Sequence, residues 1–157
     1  AHGLALSIIN ESMQANFDPI LVASVIRFES TFRPSVKSHK GAVGLMQLLP
    51  STGEYISNLR SIDWHGTSAL HNPDYNIRLG IAYLKYLDRM FKGNTEHVLI
   101  AYNWGPGNLM SALKGDKTIP PGPVSYARKV LRERSRRYQE FRVELAPDRT
   151  SRSVALG

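Results

Sequence analysis

Between Pro19 and Phe28 the chain reads Pro-Ile-Leu-Val-Ala-Ser-Val-Ile-Arg-Phe, a stretch with no polar face of useful width. A helix of that composition is stable when it is buried on most sides, so the segment predicts a core element that other helices must surround. Its start is well marked, with Asp18 to cap the helix and Pro19 at the first helical position. Its end carries one acidic residue, Glu29. A carboxyl group is thereby delivered into the interior, where low dielectric disfavours the charged form and the negative end of the helix dipole acts in the same direction. The pKa of Glu29 is expected to be raised, which suits a general acid working near neutral pH.

Most of the remaining sequence also reads as helix. Leu4 to about Ala15 places apolar residues at Leu4, Ile8, Ile9 and Met13, a helical spacing. Ser51-Thr52-Gly53-Glu54 has the form of a capping box opening a short helix through Leu59, and residues 60–71 read as loop. Asn72-Pro73 starts a long helix with an apolar stripe at Ile77, Ile81, Leu84, Leu87 and Phe91, closed by Gly93-Asn94. Thr95 to Tyr102 is a further short helix, broken at Gly105-Pro106-Gly107. Pro120-Pro121-Gly122-Pro123 reads as a stiff linker. After it, Tyr126, Val130, Leu131, Tyr138 and Phe141 recur at a spacing that suits a helix docking back on the core. Strand signals are scarce and no internal repeat is present. The expectation is a mainly α, single compact domain over residues 1–142 with a groove for substrate, followed by a flexible tail over 143–157, which has few large apolar residues. At 157 residues the chain can bury about two-thirds of its unfolded surface.

The formal charge of +7 invites an anionic partner. Much of the excess lies at Arg128, Lys129, Arg132, Arg134, Arg136, Arg137 and Arg142, on one helix and with no nucleic-acid motif. Nucleic acid is therefore not expected as a partner. The run reads either as a solvated helix face or as a surface for an anionic cell-wall polymer or membrane. There are no cysteines, which excludes disulfides and thiolate metal sites without locating the protein. No apolar run approaches the roughly eighteen residues of a membrane span, and the start lacks a charged region before an apolar one, so a soluble chain is expected. His39, His65, His71 and His97 show no helical pairing with a carboxylate, so no metal and no cofactor are expected.

Around Glu29 the residues fall into separated blocks. Glu29-Ser30, Phe32, Pro34 and Ser38 precede Gly41-Ala42-Val43-Gly44-Leu45-Met46-Gln47, Pro50 and Thr52. Asn76-Ile77-Arg78-Leu79-Gly80 with Tyr83-Leu84 follows, then Ala101-Tyr102-Asn103-Trp104-Gly105-Pro106-Gly107, then Tyr126 and Val130. In order and spacing these blocks resemble the Slt-type soluble lytic transglycosylases, which share a lysozyme-like fold with goose-type lysozymes. The chain departs from that pattern at Gly53, where an alanine is common, and at Trp104, where a small residue is common.

The resemblance implies a lysozyme-like fold and an enzyme of the bacterial cell envelope, expected in the periplasm and as a monomer, acting on peptidoglycan glycan strands. It also implies catalytic roles for Glu29, Ser38 and Tyr126, and substrate binding by Met46, Gln47, Tyr102 and Asn103. Each supporting residue keeps an ordinary alternative. Ser38 could be a turn residue, Met46 core, Asn103 a helix cap, and Tyr126 a buried tyrosine satisfying a backbone group.

Most glycosidases need two carboxylates flanking the scissile bond. After Glu29 the next acid is Glu54, on a different helix, and Asp63, Asp74, Asp88 and Glu96 fall in loops, at helix starts or on polar faces. A one-carboxylate route exists when the 2-acetamido oxygen of the substrate assists at C1. The resemblance implies that route: cleavage of the bond between N-acetylmuramic acid and N-acetylglucosamine without water, leaving a 1,6-anhydromuramic end. A goose-type hydrolase of the same bond and a non-catalytic peptidoglycan-binding component of an envelope assembly are the alternatives.

Overall fold

Seven α-helices follow one another along the chain: α1 (His2–Gln14), α2 (Pro19–Glu29), α3 (Pro50–Leu59), α4 (Pro73–Met90), α5 (Thr95–Trp104), α6 (Pro106–Leu113) and α7 (Pro121–Leu145). A short 3-10 helix spans Thr67–His71. The structure, a computed structural model, describes residues 2–145. Within them no helix is long and apolar enough to cross a membrane.

The helix α2 is the core element that its composition demands. Leu21, Val22, Ser24, Val25 and Ile26 are buried, between α1 on one side and α7 on the other. Asp18 Oδ1 accepts from Ile20 N at 2.9 Å and Pro19 occupies the first turn, so the helix starts as expected. Arg27 and Phe28 are exposed, so the element surfaces at its last turn, where Glu29 sits.

Two hydrophobic clusters share α4. Its Ile77, Ile81, Leu84 and Leu87 join α1, α2, α5 and α7 in the larger cluster. From other positions on the same helix, Tyr75 and Leu79 join Val43, Leu48, Ile56 and Leu70 in a smaller one beneath α3. Each fully buried aliphatic side chain is worth about 2 kcal/mol, so α4 holds the two halves together along a continuous apolar spine. A forked pair reinforces it: Arg78 donates to both Glu11 carboxylate oxygens, at 3.1 and 2.9 Å, and ties α1 to α4.

Several local expectations change. Ser51 does not open a capping box, because Pro50 takes the first helical position and Leu49 becomes the N-cap, without a side-chain bond. The stretch 60–71 is loop for its first part and 3-10 helix from Thr67. Gly105, at φ 104°, does stop α5, but Pro106 immediately starts α6, since the missing N–H of a proline is no loss in a first turn. By the same reasoning the proline-rich segment is no linker: Pro121 and Pro123 lie in the first turn of α7. On α1, Ile8 is buried while Ile9 and Met13 are exposed. On α7, Val130 is buried while Tyr138 and Phe141 are largely exposed. Tyr138 instead donates its hydroxyl to Asp18 Oδ2 at 2.5 Å, tying α7 to the start of α2. The helix α7 continues to Leu145, past the expected boundary at 142. The rest of the expected tail, residues 146–157, lies outside the described residues.

Candidate active site

The chain turns abruptly once it has delivered Glu29. Ser30 closes α2 through its N–H to Ile26 O, and the next two residues, Thr31 and Phe32, both adopt left-handed conformations at φ 52° and 59°. Such geometry costs a non-glycine residue roughly 1–2 kcal/mol, so two in succession mark a turn that the surroundings impose. The loop that follows is folded on itself. Ser38 N donates to Ala42 O at 2.9 Å, and Val43 and Leu48 exchange backbone hydrogen bonds of 2.9 and 3.1 Å. Lys37–Val43 and Val43–Leu48 form antiparallel bridges in place of a sheet.

One side chain from α4 holds this loop in place. Asn76, fully buried, accepts from Met46 N at 2.8 Å and donates to Val43 O at 2.9 Å and Leu70 O at 2.8 Å, so both its amide protons and its amide oxygen are engaged. The fit around it admits no larger residue at Gly44. That glycine is left-handed at φ +80°, and a Cβ there would lie 2.4 Å from both Leu70 O and Asn76 Nδ2.

Glu29, Tyr102 from α5 and Tyr126 from α7 come close enough for their charges to act on one another. Burial raises the Glu29 pKa to about 7, and the nearby Tyr126 hydroxyl opposes that shift without overcoming it. Burial first, and the Glu29 charge second, hold both tyrosine hydroxyls well above their ordinary range, so the three groups are close neighbours. The hydroxyl of Tyr102 is satisfied, donating to Met46 O at 2.5 Å. That of Tyr126 is buried without a hydrogen bond of ordinary length, yet it lies close enough to the Glu29 carboxyl for each to shift the other's pKa.

The other expected site residues take varied positions. Ser38 is exposed, and its Oγ accepts from Ala42 N at 3.1 Å, which makes it a turn residue that keeps its hydroxyl proton free to donate. Gln47 is half-buried and left-handed, with Nε2 donating to Val36 O and Gly44 O at 3.0 and 2.9 Å. Its amide nitrogen is thus spent inside the loop. The Met46 side chain is fully buried and packs on Gly80, where a Cβ would meet its sulfur at 2.2 Å. Its side chain belongs to the core, and what it offers the site is the backbone carbonyl that receives Tyr102. Asn103 is exposed on the last turn of α5, and Gly105 rather than Asn103 caps that helix. Both departures from the resembled pattern have local causes. A Cβ at position 53 would sit 3.0 Å from the Trp64 ring, and Trp104 packs against the core with Lys117 over its face at 5.8 Å.

Tyr83 was given no role by the sequence. Its ring lies 5.4 Å from that of Tyr102, and burial pushes its hydroxyl up to about 12. Its position one helical turn after Asn76–Gly80 on α4 was the available signal. Among the described residues no three histidine, aspartate or glutamate side chains converge as metal ligands would. A wide groove of about 840 Å³ between α1, α2 and α7 is almost wholly apolar, and Glu29 does not line it.

Residues 7–122 match the family described as Transglycosylase SLT domain, which is most of the chain. The chain belongs to that family. The SLT domain is similar to the soluble lytic murein transglycosylase of Salmonella typhimurium, 40% identical over 91 residues that make up 57% of this chain and 14% of that protein. It is also similar to the endo-type membrane-bound lytic murein transglycosylase A of Klebsiella pneumoniae, 37% identical over 111 residues, 64% of this chain and 54% of the other. Among solved structures, an inactive mutant of the lytic transglycosylase Slt from Pseudomonas aeruginosa matches at TM-score 0.79 and 29% identity, covering 87% of this chain and 24% of that one. A complex of the 70-kDa soluble lytic transglycosylase with bulgecin A matches at TM-score 0.78 and 26% identity, with the same coverage. The SLT domain thus spans a small part of those soluble relatives, and its helical architecture is theirs.

Proposed function

We propose that this SLT domain is a peptidoglycan lytic transglycosylase that breaks the β-1,4 bond between N-acetylmuramic acid and N-acetylglucosamine without water. The observation that carries the reading is the environment of Glu29: a carboxyl with its pKa raised to about 7, shifted by burial and a tyrosine hydroxyl and by no neighbouring carboxylate. An isolated, half-protonated acid at neutral pH can give a proton and then take one back.

In this reading Glu29 protonates the glycosidic oxygen, the bond from that oxygen to muramic C1 breaks, and N-acetylglucosamine leaves with its 4-hydroxyl restored. The acetamido oxygen of the muramic sugar bonds to C1 as positive charge develops there. Glu29, now ionised, removes the proton from the C6 hydroxyl, whose oxygen attacks C1 and displaces the acetamido oxygen. The carboxylic acid is regenerated and no water is consumed. The nearby Tyr126 hydroxyl serves the carboxylate when it forms, Tyr102 braces the loop through Met46 O, and the free proton of Ser38 and the exposed amide of Asn103 are donors for the acetamido groups and hydroxyls of the glycan. Gln47 shapes the loop from within. The setting is the bacterial envelope, on its periplasmic side, with the domain acting as a monomer on glycan strands. The names of the relatives, soluble and membrane-bound murein transglycosylases, support that placement.

Mass analysis of the muropeptides released from purified sacculi tests the reading. Anhydromuramic ends, lighter by one water than hydrolytic products, are expected. Reducing ends would assign the domain to the goose-type hydrolases, and no release would leave a peptidoglycan-binding component.

A further inference from the structure

The outer side of α7 carries a charged concavity that the chemistry at Glu29 does not use. The inner side of the helix is fixed by Ala127 and Val130, both fully buried, and by Tyr126, the neighbour of Glu29. Arg128, Lys129 and Arg132 are exposed. Arg128 and Arg132 stand one helical turn apart and share a face, where they line a concavity of about 470 Å³ together with Ile119, Pro121, Val124 and Ser125. None of the three cations lies within ion-pair range of a carboxylate among the described residues, whereas Arg136 and Arg137 engage Glu133 and Glu140. The row also lies beyond residues 7–122, so the family match does not account for it.

Two guanidinium groups on one concavity suit a phosphate, whose oxygens accept the paired N–H bonds of the planar fork. The rest of the lining is mostly apolar, from Ile119, Pro121 and Val124. A phospholipid headgroup meets both features, with its phosphate on the arginines and its less polar glycerol region against the aliphatic side chains, whereas a fully hydrated polyanion has no use for the apolar part. Nucleic acid would find no stacking platform in the row. The Tyr126 hydroxyl is buried beside Glu29, and Tyr138 and Phe141 line the groove between α1, α2 and α7. Two positions apart on a helix, Tyr126 and Arg128 point to nearly opposite sides, so a surface held by the outer side of α7 is turned away from the acid.

We infer that the outer side of α7 docks the protein on a membrane surface of anionic phospholipid, through Arg128, Lys129 and Arg132, with the Arg128–Arg132 concavity taking a phosphate headgroup. The contact is peripheral, since no helix among the described residues can cross a membrane. Its strength is electrostatic. Each cation near an anionic leaflet strengthens partitioning about fivefold, and the attraction decays within a Debye length, so docking weakens as salt is raised. The inference stands apart from the chemistry at Glu29, and either can fail without the other.

Co-sedimentation tests it, with vesicles of phosphatidylcholine alone and vesicles of phosphatidylcholine and phosphatidylglycerol in equal parts. The protein is expected on the mixed vesicles only, with binding that falls as salt is raised. Arg128→Gln/Arg132→Gln should bind the mixed vesicles roughly 25-fold more weakly, while folding normally by circular dichroism and cleaving soluble glycan at the wild-type rate. Arg128→Lys/Arg132→Lys should keep most of the binding. Lys40→Gln/Lys92→Gln, which removes the same charge from exposed positions off α7, should keep nearly all of it. Equal binding to both kinds of vesicle, binding to neither, or a glutamine variant of the two arginines that binds like wild type overturns the inference. An equal loss in the Lys40/Lys92 variant also overturns it, because net charge rather than the row would then be responsible. So does a protein that ignores the mixed vesicles and binds duplex DNA or purified sacculi through the same two arginines, which would assign the row to nucleic acid or to the wall polymer.

Discussion

At Glu29 a folded pKa of about 7 against an ordinary value of 4.5 is a statement about stability as well as chemistry. The folded protein keeps a proton that the unfolded chain releases, so stability falls as pH rises from about 4.5 to about 7. The destabilisation is fully present above that window and absent below it, and it is on the order of 3 kcal/mol. Glu29→Gln fills the same space with a neutral group. It should therefore lose cleavage by a factor of roughly 100 or more while unfolding at the same or a higher temperature, with the advantage over wild type larger at pH 8 than at pH 5. Retention of a tenth of the activity would remove Glu29 from the chemistry. Tyr126→Phe deletes a buried hydroxyl that makes no hydrogen bond of ordinary length but lies near enough to Glu29 to lower its pKa. Stability should be nearly unchanged, kcat should fall, and the alkaline limb of the pH–rate profile should move upward, because protonated Glu29 then persists to higher pH. A profile that stays in place with kcat intact would show that Tyr126 only fills space. Among single residues, the buried acid was legible because the helix before it has no polar side. Met46 was not, because sequence cannot distinguish a groove methionine from a core one until its partner, Gly80, is placed against it.

At the scale of elements, the loop opposite Glu29 has little regular structure and depends on α4 for its position. Asn76→Ala would leave Met46 N–H, Val43 C=O and Leu70 C=O without their buried partner, at about 1–3 kcal/mol for each group left unsatisfied. A loss of roughly 3 kcal/mol or more is expected in chemical denaturation, with activity lost along with it. Gly44→Ala should be worse than Gly80→Ala. At Gly44 the methyl meets a backbone carbonyl and adopts a left-handed conformation, whereas at Gly80 it meets the flexible end of Met46. The reverse order of melting temperatures would show that the loop yields more readily than the core. The helices α2, α4 and α5 were legible from cap residues and apolar spacing. The start of α7 and the whole of α6 were not. In both, a proline that signals a break in the middle of a helix is compatible with its first turn, and the local sequence does not say which applies. The contact between the Tyr83 and Tyr102 rings was hidden for a related reason. They lie on α4 and α5, and their adjacency is created by packing.

Across the whole molecule, the net charge of +7 is less available than a count suggests. On α7, Arg136 pairs with Glu133 and Glu140, and Arg137 pairs with Glu133, so part of the basic run is answered on its own helix. Such exposed pairs contribute little to stability. The Arg78–Glu11 pair differs, because the Glu11 side chain is 8% exposed and is held by both carboxylate oxygens. Arg78→Ala would strand that carboxylate between α1 and α4. A fully buried pair would lose 3–5 kcal/mol, but Arg78 is half-exposed and solvent screens the contact, so about 2 kcal/mol is expected in urea denaturation. A change within experimental error would mean that the apolar spine of α4 joins the two clusters unaided.

All of these scales meet in the protonation of one carboxyl. Its direct measure is the titration of the Glu29 side-chain carboxyl by carbon-detected NMR, assigned through the signal missing in Glu29→Gln. A midpoint near 7 is the predicted result, with the acid half-protonated at the pH where it must both give and accept a proton. A midpoint near the ordinary 4.5 would contradict the account, because Glu29 would then be an ionised surface carboxylate with no proton to give.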